Sequence, residues 1–351
     1  MKRLDSKLAR IRSGQYKRTD FIIADAKDGD MGPSLTSSGP HRQPDGTWTR
    51  YRSRAEFLDQ IAAIVQQDIV DIMLTSASNL ELLNEREVFH NSAVKPAIRA
   101  NDTTDIWRCR GAVYHNSPSR PFRSANLSHV MYGAAEPTPD KGIVGTDLGL
   151  YSITFNNDIE ADVRSLEHFS AFRADAVAHG FKYFLEVFNP NVDTRIEPKL
   201  VPHYVNDVIL RCLAGVTKAE RPQFLKIAYN GPKALEELAS FDPSLVVGVL
   251  GGGAGTTRDC FELIFQAERY GARVALFGRK INLAENPLTM VSFMRQVADG
   301  TIAPAEAVKA YHGELQKQKI KPARSLDEDL AITGAPLKAG FVRMAEISNA
   351  G

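Results

Sequence analysis

The chain has 351 residues with 43% hydrophobic and 24% charged side chains, 25 glycines and 18 prolines, the make-up of a globular protein with ample material for a core rather than of a disordered one. A formal net charge of +1 offers no broad attraction to nucleic acid or to an anionic membrane surface, and no apolar run approaches the ~18 residues that suggest a membrane span. Cys109, Cys212 and Cys260 are odd in number and lack CxxC spacing, so they read as reduced thiols; the basic N-terminus has no apolar stretch behind it, and the expectation is a cytoplasmic protein.

Residues 1–20 form an N-terminal extension, after which short apolar runs alternate with amphipathic stretches as far as about Asn286, the pattern of repeated βα units and a parallel sheet. The first run is Phe21 to Asp25, and the Gly/Pro/Ser-rich stretch that follows, Gly29 to Gly46, reads as a mobile active-site lid or as disorder. Arg54 to Gln67 lays Phe57, Leu58, Ile61, Ile64 and Val65 on one helical face, and Val70 to Leu74 is the second strand. A helix from Asn79 to Arg86 leads to the third strand, Val94 to Arg99. The segment 103–147 is too long for an ordinary βα connection and counts as an insertion.

The fourth strand is near Leu150 to Phe155, followed by a helix from Leu166 to His179, and the fifth strand is Phe181 to Phe188, followed by a helix from Tyr204 to Ala214. Phe224 to Ala228 is the sixth strand, and Pro232 opens the next helix at its first turn. Leu245 to Leu250 and Val274 to Phe277 are the seventh and eighth strands, with helices from Thr256 to Tyr270 and from Pro287 to Ala298. Eight strands are the number that closes a TIM (β/α)8 barrel, here spanning residues 21–300. A further helix from Pro304 to Lys317 and a polar tail complete the chain, the tail packing against the barrel or against a partner subunit.

In such barrels chemistry is carried at the C-terminal ends of strands, so a charge within an apolar strand is informative. Lys226 sits among Phe224, Leu225, Ile227 and Ala228; burial of an amine favours its neutral form, the form that attacks a carbonyl to give a Schiff base. A plain strand-end lysine paired with a carboxylate is the bland reading. Glu186, on the preceding strand, can neutralise Lys226 or carry a proton, and Asp25 ends the first strand with Lys27, Asp28 and Asp30 just beyond it. The run Gly251 to Thr257 (GGGAGTT) opens a helix whose first N–H groups can bind an anion, and Gly278 and Arg279 follow the eighth strand, where this fold commonly holds a phosphate. A flexible turn with a surface arginine is the competing account. No GK[ST] follows the glycines, and the eight histidines show neither HExxH nor paired-ligand spacing, although Glu186 and Asp25 can together hold a hard cation.

FIIADAKDGD, FLEVF, FLKIAYNG, and VVGVLGGGAG followed by ARVALFGRKI resemble the corresponding strands of the class I, lysine-dependent aldolases of the deoxyribose-phosphate and tagatose-bisphosphate aldolase superfamily. The resemblance implies an aldolase-type TIM barrel that needs no cofactor, with Lys226 as the imine-forming lysine, Glu186 as an acid or base and Asp25 lining the mouth, and with Glu186 or Asp25 shuttling the hydroxyl proton. It further implies Gly252, Gly253, Gly278 and Arg279 as phosphate ligands. Apart from the resemblance, Asp28, Arg99 and Asn101 are further pocket candidates. Strand seven lacks the second lysine that some deoxyribose-phosphate aldolases use. The expected substrate is a phosphorylated sugar or sugar acid. A metal-dependent isomerase, epimerase or lyase and a catalytically silent sugar-phosphate binder are the alternatives, and assembly into a homo-oligomer is open.

Overall fold

The computed structural model describes residues 2–136, 140, 142–253 and 255–349. Eight parallel strands close a barrel: β1 (Ile22–Lys27), β2 (Ile72–Thr75), β3 (Lys95–Arg99), β4 (Leu148–Thr154), β5 (Lys182–Phe188), β6 (Leu225–Ile227), β7 (Gly248–Leu250) and β8 (Val274–Phe277). They are adjacent in chain order, and β8 pairs with β1 from Ile22↔Val274 to Asp25↔Phe277. Among the described residues no helix is long and apolar enough to cross a membrane.

Helix α1 (Arg3–Arg12) occupies the stretch read as an extension and stoppers the N-terminal end of the barrel. Leu4 and Leu8 join Ile22, Ala24, Ile72, Leu74, Leu148, Phe184, Phe224 and Leu276 in one apolar cluster that fills the interior. Buried Asp71 fastens this helix through Lys7 Nζ at 2.9 Å and Arg3 Nε at 3.0 Å. A second, larger cluster lies between the strands and the surrounding helices and includes Ile23, Met73, Ile98, Leu185, Leu225, Val249 and Phe277. Alternate residues of one strand thus belong to different clusters, which fixes the side that each intervening polar residue faces.

Helix α2 (Arg54–Gln67) begins where Ser53 accepts from the Glu56 N–H and the Glu56 side chain returns the bond, and it ends at Asp68 in a left-handed conformation. Helix α3 (Ala77–Glu85) and the short α4 (Leu127–Tyr132) precede α5 (Ile159–His179), which starts earlier than its apolar periodicity suggests because the Asp158 side chain caps the N–H of Ala161. Next come α6 (Val201–Leu213), α7 (Pro232–Phe241), α8 (Thr257–Arg269), α9 (Arg279–Asn282), α10 (Pro287–Asp299) and α11 (Pro304–Lys317). Gly29–Ser38 is wound into short turns and leads to a small hairpin, Pro40–Arg42 with Trp48–Tyr51. Within the 103–147 insertion, Asp102–Thr103 pairs with Pro121–Phe122. The tail packs on the barrel: Asp329 accepts from the Thr257 N–H at 2.7 Å, and the Gln266 amide donates to Leu337 O at 2.9 Å.

Candidate active site

The parity of the strands decides the site. On β4, β5 and β6, Ser152, Glu186 and Lys226 are register partners, each two residues beyond the interior positions Leu150, Phe184 and Phe224. They form a row across three neighbouring strands at the top of the barrel interior. Lys226 Nζ lies 2.6 Å from Glu186 Oε1, and the Ser152 hydroxyl donates to Glu186 Oε2 at 2.7 Å. Arg99, at the end of β3, completes the group: Nη1 donates to Ser152 Oγ at 2.8 Å, Nη2 lies 3.3 Å from Glu186 Oε2, and Nε lies 2.6 Å from Asp28 Oδ2.

These groups are almost wholly withdrawn from solvent, with Glu186 1% and Lys226 6% exposed, so their charges persist only because they are paired. Burial works against the Arg99 guanidinium, but the carboxylates of Asp28 and Glu186 more than offset it and raise its pKa. For Asp28 burial pushes upward, and the charges of Arg99 and Lys226 more than reverse this, holding the carboxyl below its ordinary range. Above the row opens a cavity of about 640 Å³ bounded by Asp28, Arg99, Glu186, Lys226, Gly251, Gly252, Gly278 and Arg279 among others.

The remaining candidates lie elsewhere. Asp25 does not line the mouth: Ile22 and Ala24 take the interior positions of β1, so Asp25 faces the helical layer between Met73 and Phe277, its register partners. There it lies 3.3 Å from Lys27 Nζ, wholly buried, and burial raises its pKa to about 6 against the opposing pull of Lys27. The acid that does reach the interior site is Asp28. Asn101 is also outside the cavity, because its amide is consumed in clamping β4: Oδ1 accepts from the Ser152 N–H at 2.7 Å and Nδ2 donates to Ser152 O at 2.9 Å.

The glycine segment divides. Gly251 and Gly252 border the main cavity with Gly278 and Arg279 and also line, with Gly253, an adjoining hollow under the C-terminal tail; Gly253 does not border the main cavity. Close approach requires two of these glycines: a Cβ on Gly251 would come within 2.3 Å of the Phe277 ring, and one on Gly278 within 2.7 Å of Ala26 O. The start of α8 is not a free anion site, contrary to the sequence expectation. The Thr257 N–H is taken by Asp329, and the Thr256 N–H by Asp259 at 3.2 Å. Arg279 stays beside the loop, with Nη2 donating to Gly252 O at 3.0 Å.

Sequence reasoning missed Ser152, Asp105, Arg108 and the burial of Lys27. Ser152 alternates with Leu148 and Leu150, a parity that was there to be used; Asp105 and Arg108 lie in the insertion, where no periodicity marks them. Among the described residues no three His, Cys, Asp or Glu side chains are grouped to hold a metal ion.

No family model matches the sequence, and no curated protein matches it. Solved structures do resemble the fold. A Schiff-base-forming fructose-1,6-bisphosphate aldolase is 15% identical with a TM-score of 0.58, covering 84% of this chain and 99% of its own. An archaeal fructose 1,6-bisphosphate aldolase is 16% identical with a TM-score of 0.57, over 85% and 99% of the two chains. The fructose-bisphosphate aldolase of Slackia heliotrinireducens is 12% identical with a TM-score of 0.63, over 89% and 91%. The chain has the aldolase-type TIM barrel, and its structural neighbours include class I Schiff-base aldolases.

Proposed function

We propose that this chain is a class I, Schiff-base aldolase acting on a phosphorylated ketose or sugar acid. The observation that carries the reading is the 2.6 Å contact of Lys226 Nζ with Glu186 Oε1 on the floor of a cavity large enough for a small sugar phosphate. Glu186 is positioned to take a proton from the Lys226 ammonium, freeing the amine to add to a substrate carbonyl. The carbinolamine loses water, the protonated imine draws electrons from the adjacent carbon–carbon bond, and a carboxylate removes the proton of the hydroxyl on the departing carbon. Asp28 takes the part that sequence reasoning gave to Asp25, since Asp25 faces away from the cavity. Protonation of the resulting enamine and hydrolysis of the imine return Lys226.

Arg99 holds Asp28 in its ionised, proton-accepting state and donates to Glu186, which Ser152 orients. Gly251, Gly252, Gly278 and Arg279 are suited to a phosphate remote from the reacting bond, where binding energy becomes positioning of the carbonyl over Lys226. Treatment with borohydride in the presence of dihydroxyacetone phosphate tests the reading: an adduct mass that needs both reagents, with turnover surviving EDTA, is expected. Turnover abolished by EDTA and restored by a divalent ion, without an adduct, transfers the site to metal-dependent isomerase or lyase chemistry.

A further inference from the structure

Five cations border the cavity, and three are neutralised: Lys226 by Glu186, Arg99 by Asp28 and Glu186, and Lys27 by Asp25. Arg108 and Arg279 are different. Among the described residues neither has a carboxylate partner; each donates only to backbone carbonyls, Arg108 Nε to Asp105 O at 3.1 Å and Arg279 Nη2 to Gly252 O at 3.0 Å. The two positive charges are near enough to act on each other: burial first, and Arg108 second, lower the Arg279 pKa. Both arginines are exposed and stand at the rim of the cavity, and like charges meeting there without a carboxylate leave a site that an anion would relieve.

Arg108 is delivered by a fastened loop. Its own N–H donates to Gly32 O at 3.1 Å, and neighbouring Asp105 accepts from Ser119 at 2.8 Å and from Thr154 of β4 at 2.8 Å. Trp107 stacks on Tyr114 with ring centroids 4.7 Å apart, and the Asn191 amide donates to His115 O at 2.9 Å and Ser117 O at 2.8 Å. A guanidinium on so well-held a stem loses little entropy when it binds.

We propose that Arg108 and Arg279 form a two-arginine clamp for a dianionic phosphate monoester, held against the Gly251–Gly252 and Gly278 backbone, and that the 103–147 insertion is thereby a specificity element of the site. This rests on the phosphorylated-substrate part of the proposed function. It adds that the ligand's charge is read from two sides, so that a singly charged carboxylate is disfavoured relative to a phosphate dianion.

Calorimetric titration with inorganic phosphate tests the clamp on the full chain. R108A and R279A should each weaken binding by roughly ten- to a hundredfold, as loss of a hydrogen bond to a charged group does. R110A removes an exposed arginine from the same loop and outside the cavity, and should change binding by less than about twofold once salt screens the distant charge. As pH rises through the second ionisation of inorganic phosphate, wild-type affinity should rise more steeply than that of R108A. Equal losses in R108A and R110A, or a steep pH profile retained in R108A, overturn the clamp, and melting temperatures of all variants show whether a loss is one of folding. Phosphate binding involves no chemistry at Lys226. A protein that binds phosphate through both arginines and yields no borohydride adduct therefore refutes the aldolase reading alone, and one that yields the adduct without the arginine dependence refutes the clamp alone.

Discussion

Two buried lysines at the top of this barrel face carboxylates, and their settings are opposite. Lys226 on β6 lies inside, 2.6 Å from a Glu186 that also holds Arg99 and Ser152, beneath an open cavity. Lys27 on β1 lies on the outward side, 3.3 Å from Asp25, at the edge of the cavity beside Phe57; no hydrogen-bond partner serves either Asp25 oxygen or the Lys27 amine among the described residues. The inner carboxylate is over-supplied with cationic and hydroxyl partners, whereas the outer one depends on a single cation. A network with spare partners can lose a proton or gain a substrate without leaving a buried charge bare; an isolated pair cannot.

Removing each lysine should expose the difference. Lys27→Met strips Asp25 of its cation and should cost about 3–5 kcal/mol above pH 7, measured by denaturant unfolding, with a smaller cost near pH 5 where Asp25 can protonate instead. Lys226→Met leaves Glu186 with Arg99 and Ser152, so its stability loss should be clearly smaller while the borohydride adduct disappears. Comparable stability losses in the two variants would erase the distinction.

The outer pair also has a pH signature. With its pKa raised to about 6 from an unfolded value of ~3.9, Asp25 contributes stability that is complete below about pH 4 and is lost as pH rises through 6. The span is at most about 3 kcal/mol. Asp25→Asn should flatten the stability profile between about pH 4 and 6.5 relative to the wild type, and an unchanged slope would mean that Asp25 does not titrate there.

The barrel was legible because its punctuation is local. Apolar runs of strand length, Ser53 ahead of its helix and Pro232 at a first turn mark elements without tertiary information. All eight strands fall where the apolar runs predict them, within the usual uncertainty at their ends. The inner pairing of Lys226 with Glu186 was also readable, since adjacent parallel strands bring charged interlopers side by side. Direction was not readable on β1: Phe21, Ile22, Ile23 and Ala24 are buried on both faces, so no polar alternation shows whether Asp25 points in or out. Nor could the start of α8 be judged, because the carboxylate occupying it, Asp329, lies 72 residues away in sequence.

Arg279 provides a finer test of the proposed division of the cavity between chemistry and anchoring. Arg279→Ala should weaken a phosphorylated ligand by about 1.5–3 kcal/mol and its unphosphorylated analogue far less, read as binding constants for dihydroxyacetone phosphate and dihydroxyacetone. Equal losses would make Arg279 a brace for the glycine loop through its bond to Gly252 O rather than a reader of phosphate.

The most direct test of the inner and outer assignment is where the reduced adduct sits. Wild-type protein treated with dihydroxyacetone phosphate and borohydride, digested and mapped by mass spectrometry, should carry one modification, on Lys226 in the FLKIAYNG stretch, with Lys27 unmodified. Modification of Lys27 in place of Lys226, or no adduct on either lysine with a substrate that is turned over, would contradict the account.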